Sequence, residues 1–241
     1  MDFAFMAETW LALLAGLPLT LKLAGWSVLC GGALALLLAL MSLSRHRALV
    51  WPARGFVFVF RGTPLLVQVF LIYYGLGQFR PTLQAWGVWW FFREAYWCAL
   101  LALSLNTAAY AAEIIRGAIL SVPHGQIEAG RACGMSRFTL ARRITGPIAL
   151  RQALPAYSNE IVSMVKATSL ASIITLAEVT FIAQKLIAQT FRAVEIFICA
   201  GSIYLLINIL VTRAILGLEY WLSPHLRAAP REPAAAEAAH A

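Results

Sequence analysis

Charged and hydrogen-bonding side chains interrupt the apolar sequence at a few regularly spaced positions. Asn106, Tyr110 and Glu113 follow one another at i, i+4 and i+7, which places them along one face of a helix. An ionisable side chain inside a membrane costs about 2.5–3.5 kcal/mol on insertion scales, so one that is present usually faces a cavity or a partner. We therefore expect this polar face to contact either a ligand or another helix.

A second polar group follows about fifty residues later. Glu160 and Lys166 are six residues apart, a spacing that does not form an ion pair along one helix. A zwitterionic amino acid would offer its carboxylate to Lys166 and its ammonium or a cationic side chain to Glu160; pairing with other helices is the alternative. From the two groups, the candidate substrate-binding residues are Asn106, Tyr110, Glu113, Asn159, Glu160, Ser163 and Lys166.

The elements that carry these residues are apolar segments long enough to cross a bilayer. The 241-residue chain is 61% hydrophobic and 12% charged, which is too little polar surface for a soluble protein. A helix of about 20 residues spans the hydrocarbon layer. The segments of that length are 18–43, 56–78, 95–119, 153–176 and 195–216. The sequence thus predicts an all-α membrane protein with five transmembrane helices.

The distribution of positive charge predicts how these helices are oriented. Arginines are concentrated after the first and third segments, and cytoplasmic loops carry such an excess. This predicts an outside N-terminus and an inside C-terminus. We attribute the net charge of +8 to topology and contact with membrane lipid, and we expect no nucleic-acid binding. Residues 1–228 are predicted to form one transmembrane domain, and the Ala- and Pro-rich residues 229–241 a disordered cytoplasmic tail.

The loop 121–151 is too long and too organised to be a simple connection. The residues before Gly134 favour a helix, Gly134 ends it, and Ser136 can cap a second helix that continues until Pro147. A compact loop of this length is usually functional. A folded cytoplasmic loop without a partner is the alternative.

The same loop resembles the "EAA" signature of ABC-importer permeases. Glu128, Ala129, Gly134, Ile144 and Pro147 stand at matching positions, as the printed sequence shows. Two positions depart from the signature, with glycine at 130 in place of alanine and glycine at 146 in place of leucine. Further segments resemble the polar amino-acid branch of these permeases, namely 16–21, 61–68, 106–110, 121–125 and 155–160.

This resemblance implies the membrane-spanning subunit of an ATP-driven importer in a bacterial inner membrane. It implies that the loop couples to a separate cytoplasmic ATP-binding subunit through Glu128, Ala129, Gly130, Cys133, Gly134, Met135 and Ser136. The chain itself has no Gly-x4-Gly-Lys-Ser/Thr motif, so we expect ATP and Mg to bind the partner ATPase. The four cysteines are far apart, and we expect no metal and no cofactor in this chain.

The resemblance also implies a second permease subunit, identical or paralogous, and an extracytoplasmic amino-acid-binding protein. Similarity to histidine, arginine and lysine-arginine-ornithine permeases favours a basic amino acid, with glutamine or glutamate as the alternative within ABC importers. An ATP-independent small channel or secondary transporter is the alternative from another class, but it leaves the loop 121–151 unexplained. A membrane enzyme is disfavoured because the sequence contains no HExxH and no Gly-x-Ser-x-Gly.

Overall fold

The computed structural model describes residues 2–222, and this part of the chain contains helices and no strand. The α-helices, numbered α1 to α12, are Phe3–Leu13, Leu17–Ser42, Arg47–Gly62, Leu65–Phe70, Arg80–Ala85, Trp89–Phe92, Ala95–Leu120, His124–Ala132, Arg137–Leu140, Gly146–Ala167, Val179–Thr190 and Ala193–Leu222. Tight turns at Leu14–Gly16 and Thr168–Ile174 and wider turns at Leu71–Gly75 and Ala141–Thr145 continue the adjoining helices. The predicted tail 229–241 lies outside the described residues.

Three of the described helices are individually long and apolar enough to cross a membrane. They are Phe3–Ser42, Ala95–Leu120 and Ala193–Leu218. Two further candidates are bent pairs, Arg47–Gly62 with Leu65–Gly75 at 106° and Arg137–Ile174 with Val179–Thr190 at 49°. The described residues therefore offer up to five crossings if each bent pair is one. The all-helical prediction is confirmed, whereas the predicted bounds need correction at three places.

The first correction concerns the N-terminal helix. It begins at Phe3, well before the predicted residue 18, because α1 and α2 are joined through the turn Leu14–Gly16. The carboxylate of Asp2 accepts the backbone N–H of Phe5 at 3.1 Å, which caps the helix.

The second predicted segment, 56–78, is not one straight helix. It breaks between α3 and α4 at Thr63 and Pro64. A proline disfavours helical backbone at the residue before it, and Thr63 is extended, with φ −117° and ψ 145°. The break at this point follows from this local preference, and the two helices meet there at 106°.

The fourth predicted segment, 153–176, begins too late and misses a helix that follows it. Pro147 does not end α9, because the wide turn Ala141–Thr145 carries the chain directly into α10. The N–H of Gly146 donates to the carbonyl of Ala141, five residues back, and this wider turn accommodates a proline that has no N–H. α11 was not predicted; Glu178 caps it by accepting the N–H of Phe181 at 2.8 Å.

Small residues allow α7 to pack closely on its neighbours. A Cβ added to Gly31 of α2 would lie 2.7 Å from the Cβ of Thr107. The backbones of α2 and α7 are therefore so close at this point that only a small residue fits between them. Ala108 and Ala111 of α7 are fully buried in a cluster with Ala35 of α2 and residues of α3. This packing holds α7 in place beside the bend of α3 and α4.

Candidate functional site

A cavity of about 510 Å³ lies where the bend between α3 and α4 meets α7 and α10. This volume is in the range of small-molecule sites, roughly 300–1,000 Å³. The cavity combines charged, polar and apolar side chains, and its lining consists of Arg61, Gly62, Thr63, Pro64, Leu65, Asn106, Tyr110, Glu160, Ser163, Met164 and Ala167.

Two opposite charges share this cavity without forming a close ion pair. Glu160 projects from α10 and Arg61 from the last turn of α3, and the two interact electrostatically. The ion pairs within 4 Å in residues 2–222 involve other groups. Arg61 instead places its guanidinium carbon 5.2 Å from the centre of the Tyr110 ring, a cation–π contact. Both charges are therefore available to the two ends of a zwitterionic ligand.

Gln68 holds the bend beside this cavity in place. Its side-chain Nε2 donates to the carbonyl of Phe60 at 2.8 Å and to the carbonyl and hydroxyl of Thr63 at 3.1 Å and 2.9 Å. Its Oε1 accepts from Asn106 Nδ2 of α7 at 3.1 Å. Gln68 and Asn106 are both buried. The side chain of Gln68 thus bonds backbone carbonyls that the break leaves without a helical partner, and it also fixes the bend against α7.

The structure brings four of the predicted substrate-binding residues together at this cavity. They are Asn106, Tyr110, Glu160 and Ser163. Glu113 lies in an adjoining cavity of about 420 Å³, where its carboxylate pairs with Arg116 at 2.6 Å.

The other two predicted residues, Asn159 and Lys166, do not line the cavity. Lys166 is exposed, since α10 turns a neighbouring face, with Glu160, Met164 and Ala167, toward the cavity. Arg61 of α3 lines the cavity together with Glu160. The sequence analysis did not include Arg61 among the candidate residues, because it used that residue only for topology and as part of the family-like segment 61–68; its place directly before Gly62, Thr63 and Pro64 was the available clue.

The loop 121–151 folds as predicted into helix, turn and helix. Gly134 has a φ of +74°, a left-handed conformation that glycine adopts without strain. It ends α8, and the hydroxyl of Ser136 then accepts the N–H of Thr139 at 3.2 Å to cap α9.

Gly130 has a packing role at the contact between α8 and the following helix. The residue is buried, and a Cβ added there would lie 2.5 Å from Leu140 Cδ1 and 2.8 Å from Ile144 Cδ1. The glycine that departs from the EAA signature therefore lets these two side chains pack on the α8 backbone.

The predicted coupling residues divide between a groove and the exposed surface around it. The groove of about 440 Å³ includes Ala129, Gly130, Cys133 and Met135. Glu128, Gly134 and Ser136 are exposed and do not line it.

The chain matches a protein family over residues 31–223, most of its length, and the family is described as the binding-protein-dependent transport system inner membrane component. The chain belongs to this family. It is similar to the octopine transport system permease protein OccM of Rhizobium meliloti, with 60% identity covering 94% of this chain and 92% of that protein. It is also similar to the histidine/lysine/arginine/ornithine transport system permease protein HisM of Escherichia coli, with 44% identity covering 80% and 81%.

A solved structure supports the same assignment. A chain of an amino acid ABC transporter crystallised with histidines has 34% sequence identity and a TM-score of 0.81, covering 91% of this chain and 98% of that one. The protein is therefore an inner-membrane permease subunit of an ABC amino-acid importer. This assignment implies an ATPase subunit and a periplasmic binding protein, and it favours the importer over an ATP-independent channel or secondary transporter.

Proposed function

We propose that this permease imports a substrate that contains arginine, either the free amino acid or an opine built on it. The observation that carries the proposal is the presence of two opposite charges, Glu160 and Arg61, in the lining of one cavity. A carboxylate facing a guanidinium offers complementary charges to a ligand that has both a cationic side chain and a carboxylate.

The chemistry of the relatives' substrates supports this choice. Octopine is an arginine whose α-amino nitrogen carries an additional carboxylate-bearing group, and arginine is also among the substrates in the second relative's name. Both ligands present a guanidinium and at least one carboxylate. Glutamine has no cationic side chain, so it could offer Glu160 only its α-ammonium.

In the proposed binding mode, Glu160 accepts hydrogen bonds from the substrate guanidinium and Arg61 donates to a carboxylate. Asn106, Tyr110 and Ser163 supply the neutral polar contacts. Hydrogen bonds to charged groups contribute about 1.5–3 kcal/mol each. Arg61 belongs to α3 and Glu160 to α10, so a ligand bound between them would also draw these two helices together.

We further propose five crossings with the N-terminus outside and the C-terminus inside. The Arg-rich loop that contains α8 and α9 then lies in the cytoplasm. There it would contact a separate ATPase that binds ATP and Mg, and closure of that partner would drive alternating access. A second permease subunit, identical or paralogous, would complete the translocation path.

The decisive experiment measures ATPase stimulation and uptake by the complete reconstituted complex with its binding protein. Arginine and octopine are tested beside glutamine. We expect Glu160→Gln to reduce uptake of the arginine-bearing substrates roughly ten-fold or more, the loss expected from one charge-assisted hydrogen bond. The matched control is Glu94→Gln, because Glu94 forms an exposed ion pair away from the cavity. Stimulation by glutamine without stimulation by arginine or octopine would refute the proposed substrate.

A further inference from the structure

Three arginines recur at equal intervals along α3. Arg47, Arg54 and Arg61 are seven residues apart, which is about two helical turns and a rise of roughly 10.5 Å per step. Seven residues return nearly to the same side of a helix. The three guanidinium groups therefore follow one face of α3 from its first turn to its last.

Three cavities run along this face and share their walls. A cavity of about 690 Å³ contains Arg47, Arg54 and Phe58 in its lining. The cavity of about 420 Å³ also contains Arg54 and Phe58, and it shares Arg61 and Tyr110 with the substrate cavity. The shared residues make one trough, which leads from the substrate cavity to the turn between α2 and α3.

The trough is predominantly positive. None of the three arginines forms an ion pair within 4 Å in the described residues 2–222. The acid beside them is Glu113, which interacts electrostatically with Arg54 and Arg61 but is itself paired with Arg116. A carboxylate that leaves Arg61 would thus meet the next unpaired guanidinium at Arg54.

We propose that this trough, hereafter the arginine trough, is the route by which the substrate leaves its cavity, with Arg54 and then Arg47 binding its carboxylate in succession. The proposal rests on the proposed function, because it requires a substrate that carries a carboxylate. Arg54 is exposed, and exposed charge pairs are weak. Weak successive sites allow a ligand to move on, as conduction through a membrane pathway requires.

An anionic lipid headgroup is the competing occupant, since clustered arginines near a membrane surface attract such headgroups. The continuity of the trough with the substrate cavity favours the substrate.

The first test asks whether the trough is open to water and positive. Gly55 lines its outer part, and a Cβ added there meets nothing within 4 Å. Gly55→Cys is made after all four natural cysteines are replaced, and the whole complex in liposomes is treated with anionic and cationic thiol reagents of equal size. We expect the anionic reagent to react roughly ten-fold faster, and Arg54→Gln to abolish the preference.

The matched control is Gly217→Cys on α12, where an added Cβ also meets nothing within 4 Å and where Arg213 lies one turn away. We expect little preference there. Equal reactivity of the two reagents at position 55, or protection of that cysteine by lipid, would overturn the proposal.

The second test measures transport. Arg54→Gln is expected to reduce the uptake rate of arginine roughly two- to five-fold, the effect of losing one exposed charge pair, and Arg54→Lys less. Arg213→Gln is the control for loss of one positive charge. Assembly of the complex and its basal ATPase rate are measured for each variant to exclude misfolding.

The outcomes distinguish the two proposals. If the wild-type complex takes up neither arginine nor octopine, the proposed function fails. If it takes up arginine and a folded Arg54→Gln complex does so at the same rate, the arginine trough is not the route.

Discussion

Gln68 joins the bend between α3 and α4 to α7, and its replacement by methionine is expected to destabilise the protein. Methionine has nearly the same volume but cannot make the hydrogen bonds. The side chain of Gln68 donates its two Nε2 hydrogens among three acceptors on Phe60 and Thr63, and its Oε1 accepts from Asn106. The substitution thus removes three hydrogen bonds in effect and leaves a buried amide on Asn106 without its partner.

The expected magnitude follows from these contacts. A hydrogen bond between helices in a membrane contributes about 0.6 kcal/mol on average and up to about 1.7 kcal/mol. Three of them give a loss of about 2–5 kcal/mol in the free energy of unfolding. Asn106→Leu removes one bond and is expected to cost less, about 1 kcal/mol. Because the two residues share that bond, the double variant should lose less than the sum of the single variants by about 0.6–1.7 kcal/mol.

The assay is unfolding of the purified protein in mixed detergent, followed by loss of helical signal, for the wild type, both single variants and the double variant. Gln84→Met is the control, because Gln84 is exposed on α5. Additive effects of the two substitutions, within about 0.3–0.5 kcal/mol, would show that the bond between Gln68 and Asn106 does not hold the bend. A Gln68→Met protein as stable as the wild type would refute the reasoning altogether.

Three further predictions concern single positions. Gly16→Ala should destabilise the protein by about 1–3 kcal/mol, because the new Cβ would lie 2.5 Å from a backbone nitrogen at the start of α11; Gly25→Ala, where nothing lies within 4 Å, should change stability by less than about 0.5 kcal/mol. Gly134→Ala should cost about 1–2 kcal/mol, since its φ of +74° is unfavourable for alanine, and should weaken substrate-stimulated ATPase activity. The carboxylate of Asp2 accepts hydrogen bonds from a backbone N–H of α1 and from Arg192, and these bonds hold the pKa of Asp2 below its usual value. Their contribution to stability is therefore fully present above the ordinary pKa of about 4, and it is lost as the pH falls through the lower pKa of Asp2 in the folded protein. Protection of the first turn of α1 against hydrogen exchange, relative to the intrinsic rate at each pH, should fall below about pH 4 in the wild type, and Asp2→Asn should remove that dependence.

Each of these predictions has a clear contrary result. Equal unfolding free energies for Gly16→Ala and Gly25→Ala would mean that α11 does not pack on Gly16 as described. Unchanged stability and coupling in Gly134→Ala would show that the turn tolerates a side chain. Protection at the start of α1 that does not fall in acid would exclude the role given to Asp2.

The amino-acid sequence was sufficient to predict the class of protein and the helix, turn and helix of the loop 121–151. Apolar segments of about 20 residues have few alternatives to a membrane helix, because an unsatisfied backbone in hydrocarbon is very costly. The turn at Gly134 and the cap at Ser136 were also predictable. Each depends on one residue's own backbone preference or side-chain reach, and no distant part of the chain is needed.

The polar residues of α7 and α10 were only partly predictable. Helical spacing correctly placed Asn106 and Tyr110 on one face of α7 and selected Glu160 and Ser163 on α10, and the cavity contains all four. It could not show which side of α10 faces the cavity, since that depends on how the helix packs. The candidate residues therefore included Lys166 and Asn159, which do not line the cavity, and left out Arg61, which does.

The bends show most clearly what only the tertiary structure decided. The sequence analysis placed Pro64 inside one continuous segment, 56–78, whereas the helix breaks there, and the 106° angle depends on Gln68 reaching across the break and on Asn106 of a distant helix. Conversely, Pro147 suggested an end where a wider turn continues the helix. The turn at Gly134 and the cap at Ser136 depend on residues within a few positions of one another, and the sequence alone determined these. The meeting of Arg61 with Glu160, nearly one hundred residues apart, depends on the packing of α3, α7 and α10, and only the folded structure could decide it.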